Sequence, residues 1–388
     1  MAYWHHLLTA ISLFRRAIAL LLLNVTLAVS QDHIPQIDAA LQQQVDSGEI
    51  AGAVTLVAER GIVAHLGAVG WADLANRRPM QSDTLFGIMS MTKPITATGL
   101  MMLVDEGKLT LDDPVEKFIP AFADARLGNG DRVRGLTIRR LLEHTSGLVG
   151  EQFCEGSLQA TAAMLAKRPF AFQPGMKWSY GPGITVCGRI IEIVSGEPYE
   201  QFLNEQIFRP LDMVDTTFHV SSEQVDRVAS LYKFNASENK LVPADRWPGA
   251  GLPDATPNPS AGLFSTATDL FRFYQMVLNC GEMDGHRLIS ADSVRQMVTV
   301  QTGDLPTAFT PGNGWGLGWY VIRKPQGVTR MLSPGTFGHG GGFCTGSRID
   351  PVKQRIYVLL IQRADVDNID GSEIVHRFQQ AASDALDQ

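Results

Sequence analysis

The chain has 388 residues, of which 45% are apolar and 19% charged, a globular composition that excludes a disordered or fibrous protein. Its 33 Lys and Arg stand against 40 Asp and Glu, a formal net charge of −7. That acidic balance argues against a nucleic-acid binder, which would need a basic footprint. Residues 1–30 contain Arg15 and Arg16 but no Asp, Glu or Lys. An apolar run at 17–23 follows, then the small-residue end Ala28-Val29-Ser30. This pattern predicts a secretory signal peptide cleaved near Ser30/Gln31, and hence a periplasmic or secreted protein. The run is too short to stay as a stable membrane anchor, and no later segment is long and apolar enough to span a bilayer.

Beyond that segment, Ile34, Ile37, Leu41 and Val45 recur at helical spacing and predict an amphipathic helix. Residues 51–59 and 62–69 predict two strands joined at Arg60-Gly61. From about 90 to 300 the patterns are mostly helical, at 90–105, 137–143, 184–194, 199–208 and 267–278. The Pro- and Gly-rich stretch 245–259 is expected to be an irregular surface loop. Residues 315–322, 342–349 and 355–361 predict three more strands, the last two turning at Asp350-Pro351. A final helix presents Ile374, Phe378, Ala381 and Leu386 on one face. The predicted fold is α+β: an antiparallel five-stranded sheet built from both chain ends, one face covered by the terminal helices, with a mainly helical region inserted. Residues 31–388 then form one domain, with its α/β part at about 31–90 and 300–388 and its helical part at about 91–299.

Cys154, Cys187, Cys280 and Cys344 show no metal-type spacing. An oxidising compartment permits a disulfide, but spacing alone pairs none of them. Cys187 and Cys344 are expected to be buried small hydrophobes. No G-x-S-x-G elbow, P-loop or H-E-x-x-H motif occurs. Without an elbow serine, a Ser-His-Asp triad through His339 or His144 is disfavoured. Ser-x-x-Lys occurs three times, as Ser90/Lys93, Ser230/Lys233 and Ser237/Lys240. Only the first opens a long apolar helix, where positions three apart share a face. A serine there feels the positive end of the helix dipole, and a desolvated lysine one turn on can lose its proton and activate the hydroxyl. The same pair also reads as an N-cap followed by a solvated lysine.

Two further segments bear on that choice: Phe172-Gln173-Pro174-Gly175-Met176-Lys177-Trp178-Ser179-Tyr180-Gly181-Pro182 and Phe337-Gly338-His339-Gly340-Gly341-Gly342-Phe343. With residues 109–115, 141–148 and 261–270 they make the chain resemble the serine β-lactamase-like superfamily over roughly residues 34–385. That group includes class C β-lactamases, DD-peptidases and family VIII carboxylesterases. The resemblance implies Ser90 as acylated nucleophile, Lys93 as its proton partner and Tyr180 as the tyrosine of a Tyr-x-Asn motif. The phenol would serve as general base if Lys93 stabilises its anion. His339, Gly340 and Gly341 occupy the place of the Lys-Thr-Gly substrate-binding motif, and the oxyanion hole would be the N–H groups of Ser90 and Gly342. The glycines at 340–342 are expected to let substrate lie close against the strand.

Two departures shape the substrate expectation. Pro182 stands at the motif asparagine, and the third motif has His339 for lysine and Gly340 for a hydroxyl residue. Losing a fixed cation and a donor weakens anion recognition. The reading is an exported serine carboxylesterase acting on a small-molecule ester or amide, with no cofactor, metal or nucleic acid. A DD-peptidase or weak β-lactamase, an acyltransferase, and a non-catalytic binding protein of the same fold stay open. His144 is expected to pack around the Thr145-Ser146-Gly147 turn. Met89, Met91, Met101 and Met102 are expected in the core and pocket lining. Trp178, Trp315 and Trp319 either line an acyl pocket or anchor the core.

Overall fold

The computed structural model describes residues 33–150, 154, 156–245, 251, 254–307 and 310–387. The signal peptide expected over residues 1–30 lies outside them. Helix α1 (Pro35–Asp46) begins on a proline, whose fixed φ and missing N–H suit a first helical turn, and buries Ile37 and Leu41. Strands β1 (Gly52–Glu59) and β2 (Ile62–Asp73) form the expected antiparallel hairpin. Both turn residues, Arg60 and Gly61, have positive φ, as a tight hairpin turn demands. A short β3 (Arg78–Pro79) follows.

The helical insertion contains α2 (Thr92–Asp105), α3 (Ile138–Leu142), α4 (Leu158–Lys167), α5 (Gly183–Ser195) and α6 (Ala267–Leu278). Three of these start on side-chain caps, Thr137, Ser157 and Thr266, each accepting a first-turn N–H. The sheet then resumes with β4 (Asn313–Trp315), β5 (Tyr320–Ile322), β6 (Phe337–Gly341), β7 (Thr345–Asp350) and β8 (Arg355–Leu360). Helix α7 (Glu373–Leu386) ends the fold.

Eight strands make one antiparallel sheet in the order β4-β5-β6-β7-β8-β1-β2-β3. The far end of the chain is zipped to its beginning, with Val54 opposite Leu360 and Glu59 opposite Arg355. Both faces are buried. Ala53 and Val57 of β1 join Ile37, Leu41 and Phe378 from the terminal helices, while Val54, Leu56 and Ala58 join Phe271 and Phe273 of α6.

The structure corrects three local expectations. The stretch 315–322 is two strands rather than one, broken around Gly318. That glycine has positive φ and lies where a Cβ would come 2.6 Å from Ala97 Cβ. The expected strand 342–349 is the turn of the β6–β7 hairpin, containing Cys344 at φ +61°, followed by most of β7. His339, Gly340 and Gly341 therefore sit within β6, and Gly342 lies just past its end. The loop 245–259 was expected at the surface, but its end at Asn258 and the following Ser260 are buried. All four cysteines are free, with Cys187 and Cys344 buried as expected. Among the described residues, no helix is long and apolar enough to cross a membrane.

Candidate active site

Ser90 lies in a short 3-10 turn (Met89–Met91) that runs directly into α2. Met89 has φ +50°, a left-handed conformation that side chains rarely adopt. Its neighbours hold it there: Ile88 N–H donates to Leu263 O at 2.9 Å, and Thr345 Oγ1 donates to Ile88 O at 3.1 Å. The turn thus presents a half-buried Ser90 at the positive end of α2.

Lys93, one turn on, is fully buried. Its Nζ donates to Ser260 O at 2.8 Å and lies 3.2 Å from Ser90 Oγ. The segment carrying Ser260 is laced to α2, with Thr96 Oγ1 donating to Pro259 O and Leu263 N–H donating to Thr92 Oγ1. Among the described residues no carboxylate pairs with Lys93. Burial alone holds its amine well below the usual lysine range. An amine so held can be neutral and accept a proton from the adjacent hydroxyl.

Tyr180 also hydrogen-bonds Ser90. Burial pushes its phenol up, and Lys93 Nζ lies over the ring face, 4.6 Å from the centroid. Aromatic rings wedge Tyr180 in place: its centroid is 4.5 Å from His144 and 5.8 Å from Trp315. His144 is buried, and its Nδ1 accepts from Gly181 N–H at 3.3 Å. Its carbonyl accepts from Ser179 N–H at 2.8 Å. Gly181 must be glycine, since a Cβ would collide with Leu148 O.

Strand β6 forms the facing wall. Its residues His339, Gly340 and Gly341, with Gly342 beyond its end, line a cavity of about 180 Å³ together with Ser90, Tyr180 and Trp315. His339 Nδ1 lies 2.7 Å from Gly340 O, and a carbonyl can only accept, so the proton is on Nδ1. Burial lowers the pKa of His339 to about 3, so the ring is neutral at working pH. The glycines at 340 and 341 make room for the protein itself. A Cβ on Gly340 would come 2.8 Å from the Asp370 carboxylate, and one on Gly341 would collide with Ile88 O. Only Gly342 has open space, its nearest neighbour being Met89 Cε at 3.5 Å.

A model of the Beta-lactamase family matches residues 37–381. The chain belongs to the β-lactamase family. Esterase EstB of Burkholderia gladioli is 32% identical over 343 residues, spanning 79% of this chain and 84% of that protein. A candidate D-alanyl-D-alanine carboxypeptidase of Escherichia coli is 28% identical over 363 residues, spanning 85% and 82%. The solved structure of EstCE1, a hydrolase with promiscuous acyltransferase activity, superposes with a TM-score of 0.78 at 25% identity. It covers 90% of this chain and 97% of EstCE1. This β-lactamase-family protein is accordingly a serine hydrolase of the expected α+β fold.

In this family member the tertiary structure adds groups that sequence reading passed over. Ser260 O, just past the stretch expected to be loop, receives Lys93. His144 touches Tyr180 directly as well as packing its own turn. Residues 366–370 form a wall of the cavity and include Asp370. Trp315 lines the cavity, with Trp178 5.3 Å behind it, whereas Trp319 stacks on Phe273 in the core. Away from the site, His33, Asp38 and His65 bring three ligand atoms within 4.8 Å. His65 Nδ1 accepts from Ile34 N–H at 3.2 Å, so neutral His65 carries its proton on Nε2. That nitrogen then offers no lone pair to a cation, and the arrangement reads as a tether for α1.

Proposed function

We propose that this protein is an exported carboxylesterase that works through an acyl-enzyme on Ser90. The observation that carries the reading is Ser90 Oγ flanked by a buried Lys93 amine and the Tyr180 hydroxyl. At the motif positions the chain has Pro182, His339 and Gly340, without the amide, fixed cation and hydroxyl that would hold an amide or anionic substrate. The relationship to EstB, named an esterase, favours the same substrate class. Export rests on the N-terminal signal-peptide pattern.

Ser90 Oγ attacks the ester carbonyl carbon while its proton passes to the Lys93 amine. The negative charge moves to the carbonyl oxygen, which the N–H groups of Ser90 and Gly342 receive. As the carbonyl reforms, the carbon–oxygen ester bond breaks. The alcohol leaves with the Tyr180 proton, which the Lys93 ammonium replaces. Water then attacks the acyl-enzyme, returns a proton through the same pair and releases the carboxylic acid. An alcohol in place of water would give acyl transfer, the activity EstCE1 is named for.

Incubation with a fluorophosphonate tests the reading, by mass spectrometry. One adduct per chain is expected on the wild type and none on Ser90→Ala. A wild type that stays unlabelled overturns the enzyme mechanism. Turnover of p-nitrophenyl butyrate is expected to exceed that of a chromogenic cephalosporin, and the reverse order would favour the lactamase reading.

A further inference from the structure

We propose that Asp370 sets the charge selectivity of this site, masking the buried Arg348 and turning away substrates that carry a carboxylate. The inference deepens the carboxylesterase reading and rests on it. Residues 366–370 wall the cavity opposite Tyr180, and Asp370 lies in the 3-10 turn Ile369–Gly371. Its carboxylate fills the room above Gly340, where a Cβ would meet both oxygens at 2.8 Å.

Behind it stands Arg348 of β7, its side chain only 3% exposed. Nη2 lies 2.8 Å from Asp370 Oδ1 and donates to Asp370 O, while Nη1 donates to Ser347 O at 3.1 Å. The guanidinium packs over the Tyr320 ring, 5.3 Å from its centroid. Asp370 lines the cavity and Arg348 does not, so the cation that would attract an anion is covered by an acid.

Two neighbours point the same way. His339 Nε2 is buried, without its proton, and has no hydrogen-bond partner among the described residues. Asp367 adds a second carboxylate at the exposed rim. This end of the cavity therefore offers acceptors. An incoming carboxylate would lose its water and meet like charge, whereas a neutral ester loses nothing comparable.

The test compares kcat/KM for p-nitrophenyl butyrate with that for its ring-carboxylated analogue. Each is scaled to its own rate of hydroxide hydrolysis, in the wild type, Asp370→Asn and Asp370→Ser. In the wild type the carboxylated ester is expected to be slower by about tenfold or more. Both variants should raise the carboxylated-to-neutral ratio by about tenfold, because the Asp370 charge that offsets Arg348 is removed, while still hydrolysing the neutral ester. An unchanged ratio in variants that hydrolyse the neutral ester overturns the inference and leaves the esterase reading intact. A wild type that hydrolyses neither ester overturns both. Should neither variant fold, the wild-type ratio decides: equal turnover of the two esters overturns the proposal, and a deficit of about tenfold sustains it.

Discussion

Lys93 is a fully buried amine set against a carbonyl, a hydroxyl and the Tyr180 ring, with burial as the cause of its lowered pKa. Two consequences follow from that one group. Activity needs the neutral amine, so kcat/KM should fall as pH drops through the lowered pKa of Lys93. For stability the unfolded chain binds the lysine proton up to its ordinary pKa of 10.5, while the folded chain has already released it. Between the two values the unfolded state holds the extra proton, so stability should rise with pH across that window. Lys93→Met removes both effects. The variant should be more stable near neutral pH by about 1 kcal/mol, since a desolvated amine gives way to an apolar chain of similar length. Its kcat/KM should fall by about a thousandfold. Thermal melts from neutral to alkaline pH, set beside ester turnover, check the pair, and a destabilised variant would show that the amine's hydrogen bonds outweigh its desolvation.

At the scale of elements, the site depends on how closely β6 lies against the turn before Ser90. A Cβ at Gly341 would collide with Thr345 Oγ1 and with the backbone oxygen of Ile88, and backbone cannot swing aside. Gly341→Ala should therefore push β6 away from Ser90, lowering kcat/KM by about a hundredfold and stability by about 1–3 kcal/mol. Gly342→Ala, whose Cβ would meet only Met89 Cε at 3.5 Å, should retain the fold and most activity. Ester kinetics and chemical denaturation of the two variants side by side check this. The same strand shows where sequence patterns stop. The long helices were legible because α2 and α6 repeat apolar residues over several turns, and α6 spans the expected residues 267–278. The β1–β2 hairpin was legible from β-rich runs around Arg60-Gly61. Strand β6, Phe-Gly-His-Gly-Gly, has almost no side chains to form a pattern. Its pairing comes from β7, which no periodicity reports.

At the scale of the molecule, the sheet closes only when β8 reaches β1, some three hundred residues earlier in the chain. Such long-range pairing predicts slow folding, because the chain must be ordered over a long loop before the contact forms. Helices α1 and α7 then cover the joined strands, with Phe378 1% exposed and edge-on to Tyr357 at 6.4 Å. Phe378→Ala should cost about 3–5 kcal/mol, as a large buried ring leaves a cavity between elements from opposite chain ends. Denaturant unfolding checks it, and a loss below about 1 kcal/mol would mean that α7 is not part of the cooperative core.

The sequence by itself determined the fold class, the strand contribution of both chain ends and the Ser90/Lys93 pair, because these follow from local periodicity and from two residues one helical turn apart. It also singled out Tyr180 and His339 through a family resemblance carried by contiguous motifs. Only the tertiary structure decided what surrounds these groups. Burial beneath residues 259–263 lowers the Lys93 pKa, His144 and Trp315 pack against Tyr180, and Asp370 is brought over Gly340 from about thirty residues away. Desolvation and like-charge contact depend on what surrounds a group in space, and chain order alone does not specify those surroundings.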